Sequence, residues 1–258
     1  MVFTSSEITT YVGSLLWPLF RVAGMVMTAP VFAAKTVPVR VRLGLSVAIT
    51  VMILPLMPAP PSVELFSPTA FFLIAQQLLI GVFMGFTLQI VLSAIITGGQ
   101  VVAMQMGLGF AAMVDPQNGA QTPVLSQFYV IMVVLVYLAM NGHLVLIEVL
   151  VDSFKTMPVS MHGLVPEHFN QLVHWAAILF SGALAMAIPA IASLLIVNFT
   201  FGIMTRAAPQ MNIFAIGFPL TMLLGFGVVF ATLPSIVPQS SNLFTNAYRL
   251  LKAVVGGV

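Results

Sequence analysis

No cysteine occurs in the 258 residues. Disulfide frameworks, thiolate metal sites and cysteine nucleophiles are therefore excluded. Charge is almost as scarce: Asp, Glu, Lys and Arg make 5% of the chain, against 60% hydrophobic residues. A soluble domain carries about 25% charged residues, so this composition belongs to an integral membrane protein. The net charge of +2 comes from 8 basic and 6 acidic residues, too few to form a basic surface for nucleic acid. The first apolar run has no basic segment before it and carries Glu7 instead. That reads as a retained first helix, not a cleaved signal peptide.

Catalytic motifs are missing as well. There is no HExxH zinc-protease helix, no GxSxG elbow and no GxxxxGK[ST] phosphate loop. Asp115 and Asp152, the two aspartates, sit in unlike contexts, which argues against an intramembrane aspartyl dyad. His162, His168 and His174 cluster in and near one polar link and His143 stands apart. No pair has i,i+4 spacing, so solvated link histidines are the expectation, with no metal site. No catalytic residue, cofactor or metal is expected.

Apolar runs dominate what is there, and about six can be drawn. Residues 8–32 hold Pro18, Arg21 and Pro30; a basic link with Lys35, Arg40 and Arg42 follows. Residues 43–56 give only about fourteen, short against the roughly 20 that a crossing helix needs. Residues 69–97 contain Gly81 and Gly85 in a GxxxG spacing, a packing signal. Residues 124–150 form the fourth run, and 157–170 a polar link. Residues 172–201 carry Pro189 near their middle; a basic turn over 206–212 leads to 213–233, closed by Pro234 and Pro238. The tail 241–258 reads as a short helix capped by Asn242. The fold expected is all-α and membrane-integral: about six long, kinked helices in one domain over 1–258.

Between the third and fourth runs lies the long Gly- and Gln-rich interruption, 98–123: GGQVVAMQMGLGFAAMVDPQNGAQTP. Gly98, Gly99, Gly107, Gly109 and Gly119 loosen its backbone, and Asp115-Pro116 starts a turn. Met106, Leu108, Phe110 and Met113 keep part of it apolar. In lipid, irregular backbone is tolerated only where protein buries it or where it lines a water-filled cavity. A packing loop and a movable closure of a membrane pathway both satisfy that condition. Arg21 is the most informative charge: a polar contact to a partner or pathway wall is one reading, hydrogen bonds to freed helix carbonyls the other. At the second corner, Arg206 suits the negative end of the fifth helix. Pro209 stops that helix, Asn212 caps the next, and Gly217 with Pro219 bends it.

Topology signals disagree. The positive-inside rule places the first basic link in the cytoplasm, and alternation then puts the tail with Arg249 and Lys252 outside. Some segments are therefore expected to form hairpins against partner proteins.

Three stretches together resemble one family. They are Phe20-Arg21 with Pro30-Val-Phe and Val37-Pro-Val-Arg; Gln105-Met-Gly-Leu-Gly-Phe-Ala-Ala-Met-Val-Asp-Pro; and the run from Asn198 to Leu220 around Thr205-Arg-Ala-Ala-Pro-Gln-Met-Asn. The set is similar to the FliR family of flagellar biosynthesis proteins and its injectisome counterparts, the R (or T) subunits of the type III export gate. The resemblance implies a helical, funnel-shaped hetero-oligomer with P and Q subunits, and a B subunit wrapping its entrance. It implies passage of unfolded export substrates across the bacterial inner membrane at the flagellar basal body, with part of the assembly above the membrane on the periplasmic side. It implies a P-like part over about 1–150 and a Q-like part over about 151–258. The loop 106–119 would be the pore plug, with Met106, Gly107, Leu108, Gly109, Phe110, Met113, Asp115, Pro116 and Gly119. Arg21, Arg206, Pro209, Gln210, Asn212, Gly217 and Pro219 would serve subunit contacts. An injectisome subunit is the nearest alternative. A secondary transporter is a further one, although paired midplane charges and inverted symmetry are missing.

Overall fold

The computed structural model describes residues 5–34, 36–58, 61, 63–64, 66–108, 124–161, 163–207 and 213–255, and the side chains of 5–12 and 213–216 lie outside the description. All regular structure among the described residues is helical: α1 (Ser5–Thr28), α2 (Val39–Ile53) with a 3-10 turn at Leu54–Leu56, and α3 (Pro68–Gln105). There follow α4 (Val124–Ala139), α5 (Gly142–Thr156), α6 (Pro166–Ala176), α7 (Ile178–Ala207) and α8 (Ile213–Val255). The all-α membrane architecture expected from composition is therefore present, with eight described segments in place of about six. Four spans are long and apolar enough to cross a membrane, and a fifth if α4 and α5 are taken as one bent span.

Four corrections to the run boundaries have physical causes. The second run begins earlier than its apolar residues, at Val39, so that Val39–Leu56 supplies 18 residues and is long enough to cross. Arg42 lies in the first turn of this helix, and its Nη2 donates to the Ala34 carbonyl at 2.7 Å. The third helix does not stop at Gly98 but runs on to Gln105. Gly98 and Gly99 are there for close approach: an added Cβ would lie 3.0 Å from the Ala183 carbonyl oxygen and 2.9 Å from Ser126 Cα, respectively.

The fourth run is two helices meeting at 61°. Asn141 breaks it with a left-handed φ of 56°, which Asn tolerates better than most residues. The sixth run and the tail are one helix of 43 residues that passes through Pro219, Pro234 and Pro238. Asn242 is thus inside a helix, not at its cap. An interior proline costs about 3 kcal/mol in water. In an apolar setting the remaining backbone groups have no partner outside the helix, so the helix continues. Pro18 and Pro189 are likewise inside α1 and α7.

Helix starts follow ordinary capping. The Ser67 hydroxyl accepts the Ala70 N–H at 3.2 Å, with Pro68 at the first helical position. His168 Nδ1 accepts the Val165 N–H at 3.2 Å. That histidine reaches back over the start of α6 as a cap.

The chain divides into two compact units. One comprises Met1–Ile90, Asn141–Ala176 and Phe244–Val258; the other Val91–Met140 and Ala177–Leu243. In the first, α1 and α3 touch through backbone. A Cβ on Gly24 would sit 2.6 Å from the Leu78 carbonyl oxygen, and Cβ atoms on Gly81 and Gly85 would collide with Arg21, Met25, Thr28 and Ala29. The GxxxG spacing is therefore a contact surface, and the large buried side chains Trp17, Met25, Leu73 and Met84 fill the space around it. The end of α8 packs along α5: Phe244, Ala247 and Leu251 are buried, and the Tyr248 hydroxyl donates to the Gly142 carbonyl at 2.6 Å. Lys252 pairs with Glu148 at 3.7 Å, and the Thr156 hydroxyl donates to the Val255 carbonyl. The tail is thus a strap on α5.

Candidate functional site

The second unit holds the described part of the predicted plug. α3 ends in a pair of hydrogen bonds: Gly107 N–H to the Met104 carbonyl and Leu108 N–H to the Ala103 carbonyl, both 3.0 Å. This six-to-one and five-to-two pattern, with Gly107 at a φ of +81°, is a Schellman cap. It stops the helix and turns the chain sharply. Gly107 is required twice, for its φ and because a Cβ would meet the Phe218 ring at 2.9 Å. Met106 is 0% exposed. It fills the gap at Gly225 on α8, where an added Cβ would lie 2.6 Å from Met106 Cγ. Met106 is therefore an anchor in the protein interior, and the half-buried Gly107 turns the chain beside it. Leu108 turns onto a cavity of about 440 Å³ that it shares with Val124, Leu125, Phe128, Phe226 and Phe230. Both described residues that flank 109–123, Leu108 and Val124, line this cavity.

Gly109, Phe110, Met113, Asp115, Pro116 and Gly119 lie outside the described residues, as do Pro209, Gln210 and Asn212. Arg206 stands exposed in the last turn of α7, a position that complements the helix dipole. Gly217 is buried near the start of α8, while Pro219 is exposed and the helix runs through both. Among the described residues no group of three His, Asp or Glu could hold a metal ion.

Arg21 lies in the first unit and is 0% exposed. Its Nε donates to Gln77 Oε1 at 2.8 Å. Nη1 donates to the Ser153 carbonyl at 2.8 Å and to Ser153 Oγ at 3.0 Å, and Nη2 to the Met157 carbonyl at 2.8 Å. Its guanidinium carbon stands 4.1 Å from the centre of the Phe154 ring, a cation–π distance. Its partners within the chain are thus two carbonyls at the end of α5 and the side-chain oxygens of Ser153 and Gln77. Gln77 and Ser153 were not singled out by sequence reasoning. The signal for Gln77 was a glutamine pair inside an otherwise apolar run; Ser153 carries no local signal. Asn141-Gly142, a turn dipeptide inside the fourth run, was a readable signal for the bend.

The family described as bacterial export proteins, family 1, matches residues 12–247. This chain belongs to the FliR family of bacterial export proteins. The flagellar biosynthetic protein FliR of Escherichia coli K12 is 39% identical over 252 residues, 98% of this chain and 96% of that protein. FliR of Pectobacterium carotovorum is 35% identical over 255 residues, covering 99% and 97%. FliR of Bacillus subtilis is 29% identical over 253 residues, covering 93% and 97%. Membership makes the chain a helical membrane component of bacterial flagellar protein export. The anchored end of α3 and the Arg21 joint are thus features of a FliR-type subunit.

Proposed function

We propose that this FliR-family chain is a non-enzymatic, pore-forming subunit of the flagellar type III export gate in the bacterial inner membrane. It assembles with P and Q subunits and a B subunit, passes unfolded flagellar proteins, and carries its P-like part over about 1–150 and its Q-like part over about 151–258. That division is one of likeness along the chain and is separate from the compact units. Part of the assembly stands on the periplasmic side of the membrane. Arg206, Pro209, Gln210, Asn212, Gly217 and Pro219 form a corner that shapes subunit contacts, and Arg21 supports assembly from within.

In this reading residues 106–119 close the idle pore. The observation that supports it is the cap at Met106–Leu108. A plug must be fastened at its base and free of helical stiffness beyond it. Met106 seated at Gly225 supplies the fastening, and the left-handed Gly107 supplies the end of the helix. Phe110 and Met113 provide apolar filling, and Asp115-Pro116 a turn at the far side.

Deletion of residues 108–118 tests the proposal. The deleted chain is expected to assemble but to let ions and small solutes cross the membrane, slowing growth most in high salt. Conductance or solute uptake is measured in cells overproducing the complex, with assembly assayed in the same sample. Assembled deletion complexes no leakier than the parent would return the segment to a packing loop.

A further inference from the structure

A charge inside a membrane protein normally pairs with an opposite charge or faces water. Among the described residues Arg21 does neither: every acceptor it reaches there is neutral, and its side chain is fully buried. Three of its contacts, Ser153, Phe154 and Met157, belong to the last turn of α5 and the residue that follows it. The end of a helix carries about half a negative charge. The Met157 carbonyl follows the last helical residue, and the Ser153 carbonyl, which already accepts the Met157 N–H at 3.0 Å, takes Arg21 as a second donor. Gln77 completes the set. It is buried, and its Nε2 has no partner among the described residues. Its placement is therefore explained by what its oxygen does for Arg21.

We infer that Arg21, projecting from α1, is the C-terminal cap of α5, that the end of α5 is its counter-charge, and that it thereby positions the 157–165 link. The link is held at further points once its first residue is fixed. Val159 packs on the cluster of Trp17, Ala70 and Leu73. With its amide nitrogen towards the link, Gln76 donates to the Ser160 carbonyl at 2.6 Å and accepts from the Gly163 N–H at 2.7 Å. Arg21 is thus a positioning residue that decides where α5 ends and the link begins. Lysine cannot replace it: a single ammonium on a flexible stem lacks the planar fork that meets Gln77, Ser153 and Met157 while stacking on Phe154. The inference uses contacts within one unit and does not depend on the pore reading.

The absence of cysteine makes a local test clean, because one introduced cysteine is the only thiol in the chain. Val159→Cys reports the link, and Val133→Cys, fully buried in the other unit, reports general unfolding. Thiol labelling of the full chain is followed in native membranes, with and without Arg21→Lys. Arg21→Lys should speed labelling at position 159 about tenfold, the local opening expected when a charged hydrogen bond is lost, and leave position 133 unchanged. Equal acceleration at both positions would overturn the inference, since Arg21 would then serve general stability. No acceleration at either would overturn it as well. Should Arg21→Lys fail to accumulate, Ser153→Ala and Gln77→Leu remove one partner each. Both should speed labelling at 159 by a smaller factor with 133 unchanged, and labelling at the parental rate in both would equally refute the capping role.

Discussion

Gly81→Ala adds one methyl group where α1 and α3 touch. Its Cβ would clash with the Arg21 carbonyl oxygen and lie 2.8 Å from Met25 N and 2.9 Å from Arg21 C. These are backbone atoms of a helix and cannot rotate away. Ordinary carbon contacts sit at about 3.5–4.0 Å, so α1 and α3 must part by about 1 Å. Overpacking of this kind costs about 1–3 kcal/mol. The same separation stretches the Arg21–Gln77 bond, 2.8 Å at rest, out of hydrogen-bonding range. A lost charged hydrogen bond adds about 1.5–3 kcal/mol, while alanine's better helix propensity returns about 1 kcal/mol. The net destabilisation is about 1.5–5 kcal/mol, or a melting shift of about 3–20 °C at this chain length. Gly202→Ala and Gly227→Ala are the internal controls, because nothing lies within 4 Å of a Cβ at either position. The assay is the fraction of full chain in native membranes that resists limited proteolysis after stepwise heating. A Gly81→Ala chain that melts within about 2 °C of the parent, below the shift expected for 1 kcal/mol, would refute the contact argument. So would controls that fall as far.

Gly107→Val places a β-branched residue at a φ of +81° and drives its Cβ into the Phe218 ring. A loss of about 2–4 kcal/mol is expected at the end of α3, seen as faster proteolysis beside residue 107 while cleavage elsewhere is unchanged. Tyr248→Phe keeps the ring but removes the bond to the Gly142 carbonyl; about 1 kcal/mol of stability should go with it, read as a small fall in the same heating assay. Asn141→Val should destabilise the bend by about 1–2 kcal/mol because a branched side chain resists the left-handed conformation, whereas Asn141→Gly should be neutral within about 0.5 kcal/mol.

How far the molecule was legible varies from element to element. The glycine pair Gly81 and Gly85 signalled a close helix contact, and the structure shows which backbone they meet. Gly98 and Gly99 carry the same residue type, and in the sequence they suggest a loosened chain, but they too are contact positions inside α3. A glycine's composition is the same whether it supplies freedom or proximity; only its neighbour distinguishes the two. By the rule for water-exposed helices Pro234 and Pro238 are stops, yet α8 runs through them.

By itself the sequence determined the material of this protein. Scarce charge and long apolar runs require a membrane setting, and in that setting backbone polar groups must be satisfied within helices. The Gly107 region was also legible as a place where helix gives way, since its glycines and polar residues break the apolar pattern. Tertiary structure decided the rest. Arg21 finds its acceptors 56, 132 and 136 residues away, and no local pattern encodes a meeting at that separation. It also decided that Met106 is an anchor, because the space it fills exists only where Gly225 on α8 comes against the end of α3. Local energetics choose helix over coil, but the partners of a buried cation, a glycine or a helix end are set by which segments the whole fold brings together.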